Sequence, residues 1–510
     1  MTTAPEGPWP ALRCFPREGP GGADAFLVED LAPLLDGLVA RGGAAGWDFV
    51  RQAEGEPHLR VRVHGVRAGG EAGLPALVDA LTEAAEVRGA AGPTPAAEGL
   101  AALSTRIAVD CVAGTPRGSR RLAVAGDLAH ATAWALGMDR FAAARWLRGL
   151  AVAVRPGSAE AGRLPARLVH AQVNAVYAAQ RAGLAGRAAA LREALARGTA
   201  TGPAAAWARG VRAAEGAGER DGGLHLLLNR LGVAPDEERA VYRLAAHALL
   251  DTGEAAAYFP EGHLAPDWRY LERSKVRAGW DAQGALRPAP AETVPRGEEV
   301  ALPGGPVPEV SLWAAVTGRT SVRKGLSGPL SARTLGTLLW GAHATSHTTG
   351  SDAPFAHRPY PSPGGLYAVG IRLIVFGVEG LEPGTYQSLP GRRALLRVGG
   401  APALGEFKAL SAYLDAPPED PMALVVDEAP VVLGLYVDLG RMRRRYGLRA
   451  LRLGLLETGH LAQSLLLTAS ALGLGAMPLG GFQDDLAHEL FGLDDLDRPL
   501  QYVLPVGRAT

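Results

Sequence analysis

Between Arg287 and Pro308 the chain reads Arg-Pro-Ala-Pro-Ala-Glu-Thr-Val-Pro and later Leu-Pro-Gly-Gly-Pro-Val-Pro. Proline lacks an amide hydrogen and fixes φ, so this stretch suits neither a helix interior nor a central strand. It divides the chain, and the hydrophobic patterns on its two sides differ. The 510 residues are enough for two or three domains of ordinary size. We expect a first domain over 9–260, a linker or wrapping segment over 261–308, and a second domain over 309–510.

The first part starts strand-like and becomes helical. After a turn at Glu54–Pro57, the run His58-Leu59-Arg60-Val61-Arg62-Val63-His64 alternates apolar and polar residues. Period-two alternation marks a half-buried strand, so Leu59, Val61 and Val63 face a core while Arg60, Arg62 and His64 share the other face. From about Leu164 to Ala255 the sequence is rich in Ala and Leu, with breaks at Gly198–Pro203 and Gly216–Gly223. The last two helices expected are Leu224–Leu231 and Asp236–Leu250, separated by Gly232 and Pro235 as stop and start signals. A sheet beside a helical bundle follows.

Beyond the proline-rich stretch the pattern alternates. Leu312–Thr317, Leu335–His343 and Leu451–Leu472 read as helices, the last ended by Gly473 or Gly475. Gly370–Gly377, Val431–Leu439 and Gln501–Val506 read as strands. Both parts belong to the α+β class.

With 52 Lys+Arg against 52 Asp+Glu there is no global field to hold a polyanion, so nucleic acid is not an expected partner. The two cysteines, Cys14 and Cys111, are too far apart for a metal knuckle or a disulfide scaffold, which fits a reducing cytoplasm. Met1–Pro20 lacks a basic stretch followed by an apolar run, and no segment reaches about 20 uncharged apolar residues, so no membrane role is expected. Only Lys275, Lys324 and Lys408 are lysines, so arginine carries nearly all positive charge.

Arg319-Thr320-Ser321-Val322-Arg323 offers two guanidinium forks and hydroxyls, a donor set that matches phosphate oxygens; a solvated turn is the plainer reading. Pro361-Ser362-Pro363-Gly364-Gly365-Leu366-Tyr367 and Pro478-Leu479-Gly480-Gly481-Phe482 each pair glycines, which let backbone amides approach a flat ligand. These segments occur in order with LLWGAH at 338–343, VEGLEPGTY at 378–386, RRYGLRALRLGLLETGHLAQSLLLTASALGLG ending at Gly475, and the closing PVGR at 505–508. Together they resemble the flavin-dependent nitroreductase fold, and within it the azoline dehydrogenases of thiazole/oxazole-modified peptide biosynthesis.

The resemblance covers roughly Val310–Thr510 and implies FMN bound at a homodimer interface. Carried over residue by residue, it implies that Arg319, Ser321, Arg323 and Arg508 hold the phosphate and ribityl chain, and that Ser362, Gly364, Gly480 and Gly481 line the isoalloxazine. Glu457 and Gln463 would lie near the flavin. Those dehydrogenases carry a Lys-Tyr pair before the long helix, and this chain has Arg445-Tyr446 there. Oxidising an azoline removes a ring proton along with a hydride, so Tyr446 is the candidate base, with Arg445 favouring its phenolate. The histidines of His343–His357 lack metal-ligand spacing and read as a loop bordering the site, so no metal is expected.

Trp47-Asp-Phe-Val-Arg51, Pro57-His58-Leu59-Arg60-Val61-Arg62 and His225-Leu-Leu-Leu-Asn229-Arg230-Leu-Gly232 with Glu237-Glu238 resemble the elimination domain of lantibiotic dehydratases, over about Trp9–Tyr258. That resemblance implies removal of glutamate from glutamylated Ser or Thr, leaving a dehydroamino acid. Arg60 and Arg62 would stabilise charge and grip the leaving carboxylate, and His225 would move the proton. Arg117 matches the family's arginine before a Tyr-Gly-Gly turn, but Gly114 stands where the family has an acid. Either another carboxylate substitutes, or this domain only binds peptide.

The expected protein is thus a bifunctional enzyme acting on a ribosomal precursor peptide of the thiopeptide type, alongside other azole and dehydratase enzymes. One alternative keeps the dehydrogenase but makes the first domain a non-catalytic binding or scaffold module. Another is a flavin-binding protein without peptide oxidase activity.

Overall fold

A computed structural model describes residues 11–17, 22–52, 56–65, 79, 81–82, 84–89, 100–154, 164–214, 217–251, 266–275, 297–350 and 355–509. The chain divides into two compact units, one of Met1–Leu164 with Ala171–Glu254, the other of Pro165–His170 with Ala255–Thr510. The boundary expected at 260, part of the turn expected at 54–57 and the first half of the proline-rich stretch lie outside the described residues.

The first unit holds a four-stranded sheet of β1 (Ala11–Pro16), β2 (Gly46–Gln52), β3 (His58–His64) and β4 (Ala85–Gly89), in the order β2-β3-β1-β4. Its pairs are antiparallel, with Val61 opposite both Leu12 and Phe49 and Leu59 opposite Cys14. Those five side chains share a face and are buried, so the alternation of β3 does set its register. The helices are α1 (Gly22–Ala25), α2 (Ala32–Ala40), α3 (Ala101–Gly114), α4 (Ser119–Ala135), α5 (Arg140–Ala153), α6 (Ala166–Arg197), α7 (Gly202–Ala213), α8 (Ala217–Arg230) and α9 (Pro235–Leu250). α9 starts with proline in its first turn and three acids, and its Glu237 carboxylate accepts the Ala234 amide at 2.9 Å, answering an otherwise unpaired helix N-terminus.

Two features of this unit differ from expectation. The break expected at Gly216–Gly223 is helical from Ala217, because Gly223 serves packing and not a turn: a Cβ there would lie 3.2 Å from Leu100 and 3.5 Å from Trp207. The helices over 101–153 bury alanines such as Ala108, Ala125, Ala129, Ala143 and Ala144, and alanine gives periodicity little to register.

The second unit begins with α10 (Pro266–Arg273) and is built on an antiparallel sheet. Its main strands are β5 (Glu299–Ala301), β10 (Val369–Val375), β12 (Gly384–Leu389), β13 (Ala394–Gly399), β14 (Val431–Val437), β15 (Leu474–Ala476) and β16 (Leu500–Ala509), in the order β15-β16-β14-β10-β12-β13-β5. Short pieces complete it: β6 (Leu326–Ser327) on β16, β7 (Leu330–Ser331) with β11 (Val378–Glu379), and a hairpin of β8 (His347–Thr349) and β9 (Phe355–His357). The helices are α11 (Leu312–Gly318), α12 (Ala332–His343), α13 (Leu404–Lys408), α14 (Ala412–Asp415), α15 (Leu439–Tyr446), α16 (Ala450–Ala471) and α17 (Asp484–Phe491).

Every residue of β14 is buried, which explains its unbroken apolar run. Val431, Leu433, Leu435 and Val437 join a core with Leu461 and Leu465 of α16; Val432 and Tyr436 join another with Leu486, Leu490 and Phe491 of α17. The proline-rich stretch is not wholly a linker, since Glu299–Ala301 forms the outer strand β5 against β13. An outer position is where proline neighbours are tolerated. The segment after His343 is likewise not simply a loop: it folds into the β8–β9 hairpin, with His347 and His357 stacked at 4.6 Å. Among the described residues no helix is long and apolar enough to cross a membrane.

Candidate functional sites

In the second unit, the turn Pro361–Leu366 is the meeting point. Gly364 and Gly365 have φ of 57° and 61°, in the left-handed region that a side chain disfavours. A Cβ at Gly364 would lie 2.3 Å from the Tyr446 hydroxyl and 3.3 Å from the Arg445 guanidinium. At Gly365 it would lie 1.9 Å from the Phe355 ring. The turn is therefore clasped between the end of α15 and the β8–β9 hairpin, and only glycine fits. Arg445 lies 5.8 Å from the Tyr446 ring centroid, and its Nε is buried with no hydrogen-bond partner among the described residues.

Ser362 and Glu457 are spent on holding this turn. The Tyr367 amide donates to the Ser362 hydroxyl at 2.7 Å, and that hydroxyl donates to the Glu457 carboxylate at 2.8 Å. Glu457 also accepts the Val369 amide at 3.1 Å and is fully buried. Burial pushes its carboxyl above the ordinary range, against the pull of the Ser362 and Val369 hydrogen bonds. One turn along α16, exposed His460 donates from Nδ1 to the Pro361 carbonyl at 3.1 Å, and Gln463 is also exposed.

Residues expected at a phosphate gather at backbone level around β15. Ser321 bridges to Ala476 on one side, and Leu474 pairs with Arg508 of β16 on the other. Arg319 is half-buried, while Arg323 is exposed and donates to the Met422 carbonyl at 2.7 Å. Leu479 bridges to Val503, which brings the Gly480-Gly481 turn to the same strand; a Cβ at Gly481 would meet nothing within 4 Å.

In the first unit, the arginines of β3 part company. Arg62 is buried, and its guanidinium pairs with Asp48 at 2.6 and 2.7 Å. Asp48, fully buried, also meets His64 and Arg230; burial raises its pKa, but His64, Arg62 and Arg230 outweigh that and hold it low. In this structure the Arg62 guanidinium is thus occupied by Asp48 rather than open beside Arg60. Arg60 is half-buried, and its Nε has no hydrogen-bond partner among the described residues.

Arg117 does face a carboxylate, supplied by Asp24 of α1. It donates from Nε at 2.8 Å and from a terminal nitrogen at 3.2 Å. Arg121 reaches the same carboxylate at 2.7 Å and Arg51 at 2.8 Å. Burial raises the Asp24 carboxyl, but Arg117, Arg51 and Arg121 outweigh it and leave it at about 2. Gly114 closes α3 with open space around it, so the acid beside Arg117 comes from α1.

The end of α8 adjoins this cluster: Asn229 accepts the Arg51 amide at 2.8 Å and donates to its carbonyl at 2.9 Å, standing in for a strand partner on β2. His225 lies one helical turn earlier, on the same face. Its Nδ1 meets both oxygens of Glu238 at 2.9 Å, and Tyr242 donates to that carboxylate at 2.5 Å. Glu238 is 2% exposed against 53% for His225, so a buried acid orients an exposed imidazole. Asp24, Arg51, Arg121, Glu238 and Tyr242 were not singled out as site residues by sequence reasoning. Arg51 and Glu238 stand inside quoted motifs, whereas nothing local marks Asp24.

Comparison with known proteins agrees with this division. Residues 316–508 match the nitroreductase family, and residues 9–249 match the C-terminal part of the lantibiotic biosynthesis dehydratases. A nitroreductase-family protein of Methanocaldococcus jannaschii is 31% identical over 210 residues, 41% of this chain and 96% of that protein. Among solved structures, the pyridine synthase from thiomuracin biosynthesis is 19% identical, with a TM-score of 0.40 over 48% of this chain and 99% of that one. A tRNA-dependent lantibiotic dehydratase from a Microbispora species is 24% identical, with a TM-score of 0.34 over 49% of this chain and 28% of that one. Through its second unit the chain belongs to the nitroreductase family, while its residues 9–249 are similar to the C-terminal part of the lantibiotic dehydratases.

Proposed function

We propose that the protein tailors a ribosomally made, thiopeptide-type precursor peptide with two activities. The second unit oxidises thiazoline or oxazoline rings to thiazole or oxazole, and the first removes glutamate from glutamylated Ser or Thr. The observation that carries this reading is the contact of Tyr446 and Arg445 with the Gly364 turn. It sets a phenol beside a guanidinium at a turn whose glycines let both side chains close onto the backbone.

The residues fit FMN. Ser321 and Arg508, whose backbones flank β15, would hold the phosphate together with Arg319 and Arg323 beside Ser321 in sequence; open Gly481 and its neighbour Gly480 suit the ring, and the Arg445 Nε, without a hydrogen-bond partner among the described residues, suits an acceptor on it. When bound, FMN supplies the hydride acceptor that azoline oxidation requires. As the phenolate, Tyr446 takes the ring proton at its oxygen and becomes the neutral phenol, and the Arg445 guanidinium compensates the phenolate charge before the transfer. Glu457 and Ser362 hold the turn in place, and Phe355 closes its far side. Tyr446→Phe removes the proton acceptor; loss of azole formation by about 100-fold or more supports the reading, and unchanged turnover overturns it in favour of a flavoprotein that does not oxidise peptides.

A second copy completes the cofactor site in this proposal. Val310, Leu312, Trp313 and Val316 at α11, and Leu455 and Leu456 of α16, are exposed, with Trp313 75% accessible. α11 packs on α16, and exposed apolar side chains on both helices suit contact with a second copy.

In the first unit, His225 is the base that takes the α-proton. Its Nδ1 hydrogen is directed at Glu238, which makes Nε2 the basic nitrogen of the neutral ring. Arg60 and Arg117 supply charge for the leaving glutamate. One observation favours a binding module instead: Arg62 is committed to Asp48, and Arg117 to Asp24. Replacement of His225 or Arg60 decides between them, since dehydroalanine formation that survives both substitutions sinks the catalytic version.

A further inference from the structure

Three guanidinium groups converge on Asp24, and their geometry is not that of a simple structural ion pair. Oδ1 meets Arg51 at 2.8 Å and Arg117 at 3.2 Å; Oδ2 meets Arg117 at 2.8 Å and Arg121 at 2.7 Å. Three guanidinium groups face the Asp24 carboxylate, and Glu237 adds a further negative charge that acts on Arg117. The two buried arms, Arg51 and Arg121, are costly to leave without an anion or water beside them.

Two of the three arms do not need Asp24 to stay where they are. Arg51 donates from Nε to the Arg230 carbonyl at 3.0 Å. Arg121 donates to the Thr115 carbonyl at 2.7 and 3.2 Å and to the Leu231 carbonyl at 3.2 Å. These carbonyls belong to the end of α8 and to the turn after α3, so backbone anchors the cup. Gly232, just past α8, leaves it room: a Cβ there would lie 3.4 Å from both Arg117 and Arg51.

The remaining contacts show where a ligand enters. Arg117 is 41% exposed, while Asp24 is 15% and Arg121 is 4% exposed. Among the described residues, the hydrogen bonds of the Arg117 guanidinium go to Asp24. The Arg51 terminal nitrogen lies 2.8 Å from Asp24.

We infer that Arg51, Arg117 and Arg121 form a carboxylate-binding site whose resident occupant is the chain's own Asp24, and that an external carboxylate binds by taking Asp24's place. The donors match a carboxylate because Arg117 offers two parallel N–H groups and the other arms close from the sides. Asp24 keeps the cluster compensated while no ligand is present, and it weakens every anion that competes with it. For the leaving glutamate of the proposed elimination, Asp24 is the group displaced; that identity rests on the elimination reading, whereas the site does not.

The test is calorimetric titration of L-glutamate into the full chain at low salt, for wild type, Asp24→Asn and Asp24→Glu, with melting temperatures measured alongside. Asp24→Asn binds glutamate at least tenfold tighter than wild type, and Asp24→Glu, which keeps a resident carboxylate, does not. A folded Asp24→Asn protein that binds no tighter overturns the inference. Should that variant fail to fold, Arg117→Gln decides, since this arm is 41% exposed and its hydrogen bonds among the described residues go to Asp24: at least fivefold weaker glutamate binding than wild type supports the site, and unchanged binding overturns it. Glutamate release from a glutamylated peptide, followed in the same samples, reports on elimination separately. Tight binding to Asp24→Asn without release by wild type leaves the site standing and removes the elimination reading; release without any gain in binding does the reverse.

Discussion

At the scale of single residues, the account turns on how burial and partners commit each ionisable group. Glu457 is the clearest pH sensor in the second unit, because burial holds its carboxyl above the ordinary range. A carboxyl raised on folding binds its proton more tightly in the folded state, so the stability it contributes is present at low pH and lost as pH rises through its folded pKa. Glu457→Gln should therefore flatten the fall in melting temperature just above the ordinary carboxylate range; a variant with the wild-type slope would show that another group titrates there. Asp24 has the opposite sign. Its carboxyl is held at about 2, so its stabilisation is present above the ordinary aspartate value and lost as pH falls toward about 2. Asp24→Asn should remove that part of the acid limb in denaturant titrations at pH 2–5. The sequence showed the arginines and His225 but not their partners. Arg60 and Arg62 look equivalent in the alternation of β3, yet Asp48 across the sheet takes only Arg62. Asp24 stands 93 residues from Arg117, and no local pattern reports a contact at that separation.

At the scale of elements, the turn Pro361–Leu366 does more than connect. Its glycines were legible as a close-approach signal, because paired glycines have few other uses before a strand. What they approach was not legible, since the contacts with Tyr446 and Phe355 come from α15 and from the β8–β9 hairpin, read from sequence as an irregular loop. Gly364→Ala should displace the Tyr446 hydroxyl, because the added methyl would need to lie 2.3 Å from it at a φ that alanine disfavours. We expect azoline oxidation to fall at least tenfold in kcat with a melting temperature within a few degrees of wild type, a combination read from steady-state kinetics and calorimetry. A change in KM alone would mean that the turn binds peptide without positioning Tyr446. The strands show the other side of legibility. β14 was readable because both of its faces are buried, giving a continuous apolar run, and α16 because its apolar run is long and ends at a glycine. The outer strand β5 was hidden by the prolines beside it.

At the scale of the whole molecule, the order of short motifs after the proline-rich stretch pointed to the nitroreductase family. The order of motifs is a one-dimensional property, so it survives without structure, whereas the apolar face of α11 and α16 needs three dimensions to recognise. If that face is covered by a second copy, Trp313→Glu should give a monomer in sedimentation experiments and lose bound FMN together with its visible absorbance. A monomeric wild type that retains FMN would contradict this. Because the two sites use separate residues, Tyr446→Phe should spare glutamate release and His225→Ala should spare ring oxidation. The most direct measurement is high-resolution mass spectrometry of one peptide carrying both an azoline and a glutamylated serine, after incubation with the purified protein and FMN. The account predicts loss of two hydrogens at the ring together with loss of glutamate from the serine. A peptide that keeps its azoline intact would contradict the assignment of Arg445 and Tyr446, and with it the central claim that the second unit oxidises peptide rings.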